Sequence, residues 1–175
     1  PYYKRNLKVA VPVMLTQMGG ALVGLFDTMM VGRYSTVDLA AVSFSNAIFF
    51  TIMLFASGAL MGITPLIGLQ DGELSQHPEK GDSIRPKIAS LLQNGVYFTL
   101  IISVIATLIL ALFIPFLDYF GQEPEVIEAA RPYFVLIVVS LLPYLLFCLQ
   151  KQFLEGLGNT IMAMLVVLTM NALNI

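Results

Sequence analysis

Few residues of this chain could do chemistry, and Asp27 is foremost among them. It lies near the end of GGALVGLFDTMMV (residues 19–31) and is the single charge between Lys8 and Arg33. A carboxylate held at membrane depth costs at least ~2.5 kcal/mol on insertion scales, so the default expectation is that it faces protein or water and has a function. Removing a carboxylate from water favours its protonated form, so such a group can hold a proton and release it when the site wets or a cation arrives. That is the chemistry of a proton relay or a cation site. Gln17, Gly20, Gly24, Asp27 and Val31 follow the three-and-four spacing of one helical face, which puts polar and small groups on one stripe. Arg33 lies six residues beyond Asp27, about 600° of helical rotation on, and so falls off that face.

Other polar groups lie inside apolar runs: Ser43, Asn46 and Thr51, then Asn94, Tyr133 and Gln150, and finally Asn171 and Asn174. Taken singly, each reads as interhelical glue before it reads as a ligand. Lys151 and Glu155 are four apart and can pair across one helical turn. Enzyme signatures are missing: there is no GxSxG, HExxH, GxxxxGK[ST] or GxGxxG, and the one histidine, His77, sits in a polar stretch beside Pro78. One cysteine, Cys148, excludes a disulfide framework and a multi-cysteine metal site. No basic, aromatic-interleaved surface is present, so nucleic acid is not an expected partner.

The elements that must position these groups are membrane helices. Hydrophobic residues make up 58% of the 175 positions and charged residues 11%, against roughly 25% charge in an ordinary soluble domain. The apolar runs approach or exceed the ~20 residues a helix needs to cross ~30 Å of hydrocarbon, and they lack the two-residue alternation of barrel strands. The expected fold class is all-α, a polytopic bundle with helices at about 9–31, 43–69, 90–116, 132–154 and 161–175. The last run is too short to span and implies part of a longer protein. The amino-terminal tail, the loop at 71–87 and the junction near Lys151 hold seven basic residues, and the other junctions hold only Arg33 and Arg131. The positive-inside rule therefore puts the amino terminus in the cytoplasm. A short amphipathic helix is expected from about Pro124, with glutamates in its first turns. Pro12 is expected in a first turn, and mid-span Pro143 predicts a kink. Gly20-x-x-x-Gly24 and Gly58-x-x-x-Gly62 predict close helix packing.

The order of these features resembles the multidrug and toxic compound extrusion (MATE) transporters, in particular the bacterial NorM-like branch. The stretches that carry the resemblance are VPVMLTQMGGALVGLFDTMMVGRYSTVDLAAVS, GITPLIGLQDGE, GQEPEVIEAARPYF and FLEGLGNTIMAM leading into MNALNI. They recur in the family's order across essentially the whole chain. The resemblance implies twelve helices in two six-helix lobes, of which this chain is most of the first. It implies export of amphiphilic or cationic small molecules in exchange for H⁺ or Na⁺, with no other cofactor. Asp27, Tyr133 and Asn174 match the family's first-, fourth- and fifth-helix polar residues. Lys151 stands where archaeal members carry an asparagine, which fits the NorM-like branch.

The resulting expectation is a multi-pass inner-membrane antiporter working by alternating access, with Asp27, Tyr133, Asn174 and Gln17 at its ion-coupling or substrate cavity. Membrane lipid and the second lobe of the same polypeptide are its expected partners. A lipid-linked saccharide flippase of the same broad fold would call for an arginine-rich cavity, and these helices offer almost no basic residue at depth. A non-transporting membrane scaffold is the other alternative, with Asp27 affecting assembly alone.

Overall fold

The structure, a computed structural model, describes residues 2–174, with side chains at Tyr3 and Leu7 and from Ala10 to Leu173. Among these residues all regular structure is helical: α1 Tyr2–Tyr34, α2 Thr36–Leu60, α3 Ile63–Gln76, α4 Gly81–Phe113, α5 Pro124–Gly156 and α6 Thr160–Asn174. Four stretches are long and apolar enough to cross a membrane: Ala10–Tyr34, Thr36–Gln76, Pro78–Phe120 and Pro124–Gly156. A shorter apolar helix covers Thr160–Leu173.

The helix ends differ from the sequence expectations for identifiable reasons. α2 starts seven residues before Ser43 because the Ser35 hydroxyl caps it, accepting from the backbone N–H of Asp38 at 3.2 Å. The single helix expected over 43–69 is broken at Met61–Gly62. Pro65 has no N–H to continue the ladder and its ring would strike the carbonyl of residue 61; restarting the helix at Ile63 puts the proline in a first turn. Pro12 is not in a first turn, because α1 begins at Tyr2. The carbonyl of Pro12 instead accepts the Thr16 hydroxyl at 2.9 Å. The short helix expected from Pro124 and the helix expected from 132 are one element of 33 residues, running unbroken through Pro132 and Pro143. Much of the loop expected at 71–87 is helical too, divided between α3, a 3₁₀ turn at Pro78–Lys80 and α4.

α5 is the central post, packed against α2, α3, α4 and α6. Its inward face carries Ala130, Phe134, Val138, Leu141, Leu145 and Leu149 at three- and four-residue spacing, all buried. Small and hydroxyl side chains fill much of the remaining interior, and large apolar ones such as Phe55, Leu112 and Val139 point outward. Buried hydroxyls bond their own helices: Ser45 to the Ala41 carbonyl at 2.8 Å, Thr99 to the Gly95 carbonyl at 2.7 Å. No lone polar atom is then left in hydrocarbon at these positions.

Among the described residues, the glycines at which helices meet are not the expected pairs. A Cβ placed on Gly20, Gly24 or Gly58 would meet no atom within 4 Å. On Gly156 it would lie 2.8 Å from Ile67 Cβ and 2.9 Å from the Thr64 carbonyl, so the α3–α5 contact depends on the missing side chain. Small-residue spacing marks a surface that permits close approach, and other packing decides whether a partner comes.

Candidate functional site

Asp27 lies seven residues before the end of α1, on a stretch that the bundle does not cover: Gly24, Asp27, Thr28 and Met30 are all exposed. α1 supplies little to the core, and Pro12 and Thr16 are its buried residues among those described. Its carboxyl-terminal half leans over α2 instead, where the Leu39 side chain would sit 3.2 Å from a Cβ on Gly32. The space beside this half is an open cavity of about 560 Å³. Asp27, Thr28, Met30 and Val31 line it from α1, Asn46 and Phe50 from α2, and Tyr133 from α5.

Tyr133 Oη donates to Asn46 Oδ1 at 3.1 Å, fixing the phenol to α2. Both residues are half-buried, so this bond joins α2 and α5 at the cavity wall. A second opening of about 480 Å³ shares Met30, Val31, Val42 and Tyr133 and adds Asp38. The walls thus offer carboxylates, an amide and a phenol beside a methionine and two aromatic rings. Such a surface suits a cation with an apolar body: the carboxylate meets the charge, ring faces attract it, and Met30 adapts to shape. Among the described residues, no group of three His, Cys, Asp or Glu side chains is placed to hold a metal ion.

The structure therefore brings Asp27 and Tyr133 to one cavity. Gln17 is elsewhere: it is ten residues, about 15 Å along the helix, from Asp27, and its Oε1 accepts from Lys151 Nζ at 3.3 Å. A shared helical face does not give two residues the same neighbour when different helices cross it at different heights. The side chain of Asn174 lies outside the described residues. Asn171, one turn earlier, packs its amide against Gly19 at the α1–α6 contact. Asn46 is the cavity-lining residue that the sequence reading leaves among the structural polar groups. Its signal was present, a lone amide in the apolar run of α2, but only its pairing with Tyr133 separates it from Ser43 or Thr51. Lys151 Nζ and Glu155 Oε1 are 3.7 Å apart, as their spacing predicts.

At 31% identity over 163 residues, the chain is similar to the multidrug resistance protein NorM of Photobacterium profundum, covering 93% of this chain and 34% of that protein. It is 29% identical over 161 residues to a probable NorM of Oceanobacillus iheyensis, covering 91% of this chain and 34% of the relative. The chain spans about a third of the length of these curated relatives. Among solved structures, a MOP superfamily transporter from Pyrococcus furiosus superposes with a TM-score of 0.76 over 97% of this chain and 36% of its own. An outward-facing multidrug resistance MATE family transporter gives 0.72 with the same coverages. Both are 20% identical to this chain, a likeness of fold alone. The family model described as MatE matches residues 12–175. With its apolar helices and this match along nearly its whole length, the chain is a multi-pass membrane protein and belongs to the MATE family, in its NorM-like branch.

Proposed function

We propose that this chain is most of the first six-helix lobe of a cation-coupled antiporter that exports organic cations and other amphiphilic drugs. The observation that carries the reading is the meeting of Asp27, Asn46 and Tyr133 on one open cavity between α1, α2 and α5. Family membership and the drug-resistance names of the NorM relatives support the substrate class. Ionised Asp27 favours the arrangement that accepts a cationic drug. Binding of H⁺ or Na⁺ removes or compensates that charge, lets α1 repack, and expels the substrate on the other side. Coupling needs the ion to bind one arrangement more tightly than the other, since equal affinity for both shifts nothing. The membrane is the inner membrane, and the lysine- and arginine-rich junctions face the cytoplasm. The second lobe of the same polypeptide completes the cavity, in the manner of transporters built from structural repeats.

The test is ion-driven drug uptake into inverted vesicles carrying the full-length protein or its Asp27→Asn variant. The variant is expected to insert normally and to lose coupled uptake. Uptake and coupling equal to the unaltered protein would remove Asp27 from the mechanism.

A further inference from the structure

α1 and α5 share two neighbours, since each packs against both α2 and α6. Helices bridged in this way face each other across a cleft only where other side chains do not fill the space, and the two ends are furnished differently. At one end Asp27 of α1 and Tyr133 of α5 line the cavity described above. At the other, Lys151 Nζ of α5 reaches across to Gln17 Oε1 of α1 at 3.3 Å. Lys151 lies eighteen residues beyond Tyr133, about 27 Å along α5, and Gln17 about 15 Å before Asp27 along α1, so the two helices run in opposite directions and the tie is remote from the cavity.

We propose that Lys151 is a positioning residue: a charged latch that holds the amino-terminal half of α1 against α5 and closes the end of the cleft opposite Asp27. One feature makes the latch reversible. Glu155 Oε1 lies 3.7 Å from the ammonium on the next turn of α5, and the two side chains are only 22% and 16% exposed. The cation therefore keeps a partner on its own helix when it lets go of Gln17, and release does not strand a poorly solvated charge. What the latch gates depends on the transport reading given above; the latch itself does not.

The test uses the full-length protein with a cysteine at Thr28, inside the cavity, in a background lacking other reactive cysteines. A membrane-impermeant methanethiosulfonate is added to the cytoplasmic face of inverted vesicles and the labelling rate is measured. Gln17→Leu and Lys151→Met each raise the rate about tenfold, the population change that one charge-assisted hydrogen bond supports. Gln17→Glu, which adds an ion pair to the tie, lowers it, and Lys151→Arg restores a rate near the starting one. The Lys151→Met/Gln17→Leu double variant labels no faster than either single one. Labelling indifferent to all of these changes, or single effects that multiply in the double variant, overturns the latch. If Lys151→Met fails to insert, the opposite effects expected of Gln17→Leu and Gln17→Glu decide alone. Because labelling needs no transport, an absence of ion-driven drug uptake by the unaltered protein would remove the transport reading and leave this result standing.

Discussion

Replacing Gly156 by alanine tests directly how α3 is seated on α5. The new methyl would lie 2.8 Å from Ile67 Cβ, 2.9 Å from the Thr64 carbonyl and 3.0 Å from Ile67 Cγ2. Carbon atoms settle at about 3.5–4.0 Å, so α3 must retreat by roughly 0.7–1.2 Å. Neither neighbour can swing aside, since one is backbone and the other is a β-branched side chain that is fully buried. Overpacking of this kind costs about 1–3 kcal/mol. Retreat of α3 also strains the Thr64 hydroxyl, which bonds Gln152 Oε1 at 2.5 Å and sits 3.2 Å from the Gln152 carbonyl. A weakened hydrogen bond there adds about 0.5–1.5 kcal/mol. Better helix propensity of alanine returns up to about 1 kcal/mol, leaving a net loss of roughly 0.5–4.5 kcal/mol. Gly58→Ala is the matched control, because nothing lies within 4 Å of its added methyl. Thermal unfolding of full-length protein in detergent, followed by a thiol-reactive dye, should show Gly156→Ala melting several degrees lower and Gly58→Ala unchanged or slightly higher. Equal melting of Gly156→Ala and the unaltered protein would refute the steric reasoning, as would an equal fall for Gly58→Ala.

Three further outcomes follow from named contacts. Tyr133→Phe removes the donor to Asn46 and is expected to cost about 0.5–1.5 kcal/mol of stability while weakening drug resistance of cells carrying the full-length protein; unchanged resistance at equal expression would take the phenol out of the cavity's function. Gly158→Ala places a side chain on a backbone at φ +70° in the turn between α5 and α6, and a melting curve should register a loss of about 1–2 kcal/mol. Arg131→Ala breaks the pair with Asp118 at 3.0 Å, whose side chains are 44% and 60% exposed, so its unfolding temperature should stay within the effect of about 1 kcal/mol that solvent screening allows.

Part of the candidate site is legible in the sequence because membrane sequence is severe about charge. One carboxylate in a long apolar run is conspicuous, and the cost of putting it there makes function the first reading. Tyr133 became a candidate through the family resemblance, since a tyrosine in an apolar run is ordinary. Asn46 stayed unresolved beside Ser43 and Thr51 because helical spacing gives a face and no identity for what faces it. Gln17 shows the converse limit of spacing: it shares the stripe of Asp27, yet its hydrogen-bond partner is Lys151 on another helix. Helix limits slipped where local capping or a proline outweighed hydropathy, at Ser35 and at Pro65.

By itself, then, the sequence determined the class of structure, the apolar spans, the distribution of basic residues across their junctions and the presence of a costly carboxylate. These follow from composition and from hydrogen-bond satisfaction along a single chain, which is local. Only the tertiary structure decided which glycines carry contacts, that Asp27 shares a cavity with Tyr133 and Asn46, and that Gln17 meets Lys151. Those facts depend on where helices far apart in sequence cross, and nothing in the spacing along one helix encodes the height at which another meets it.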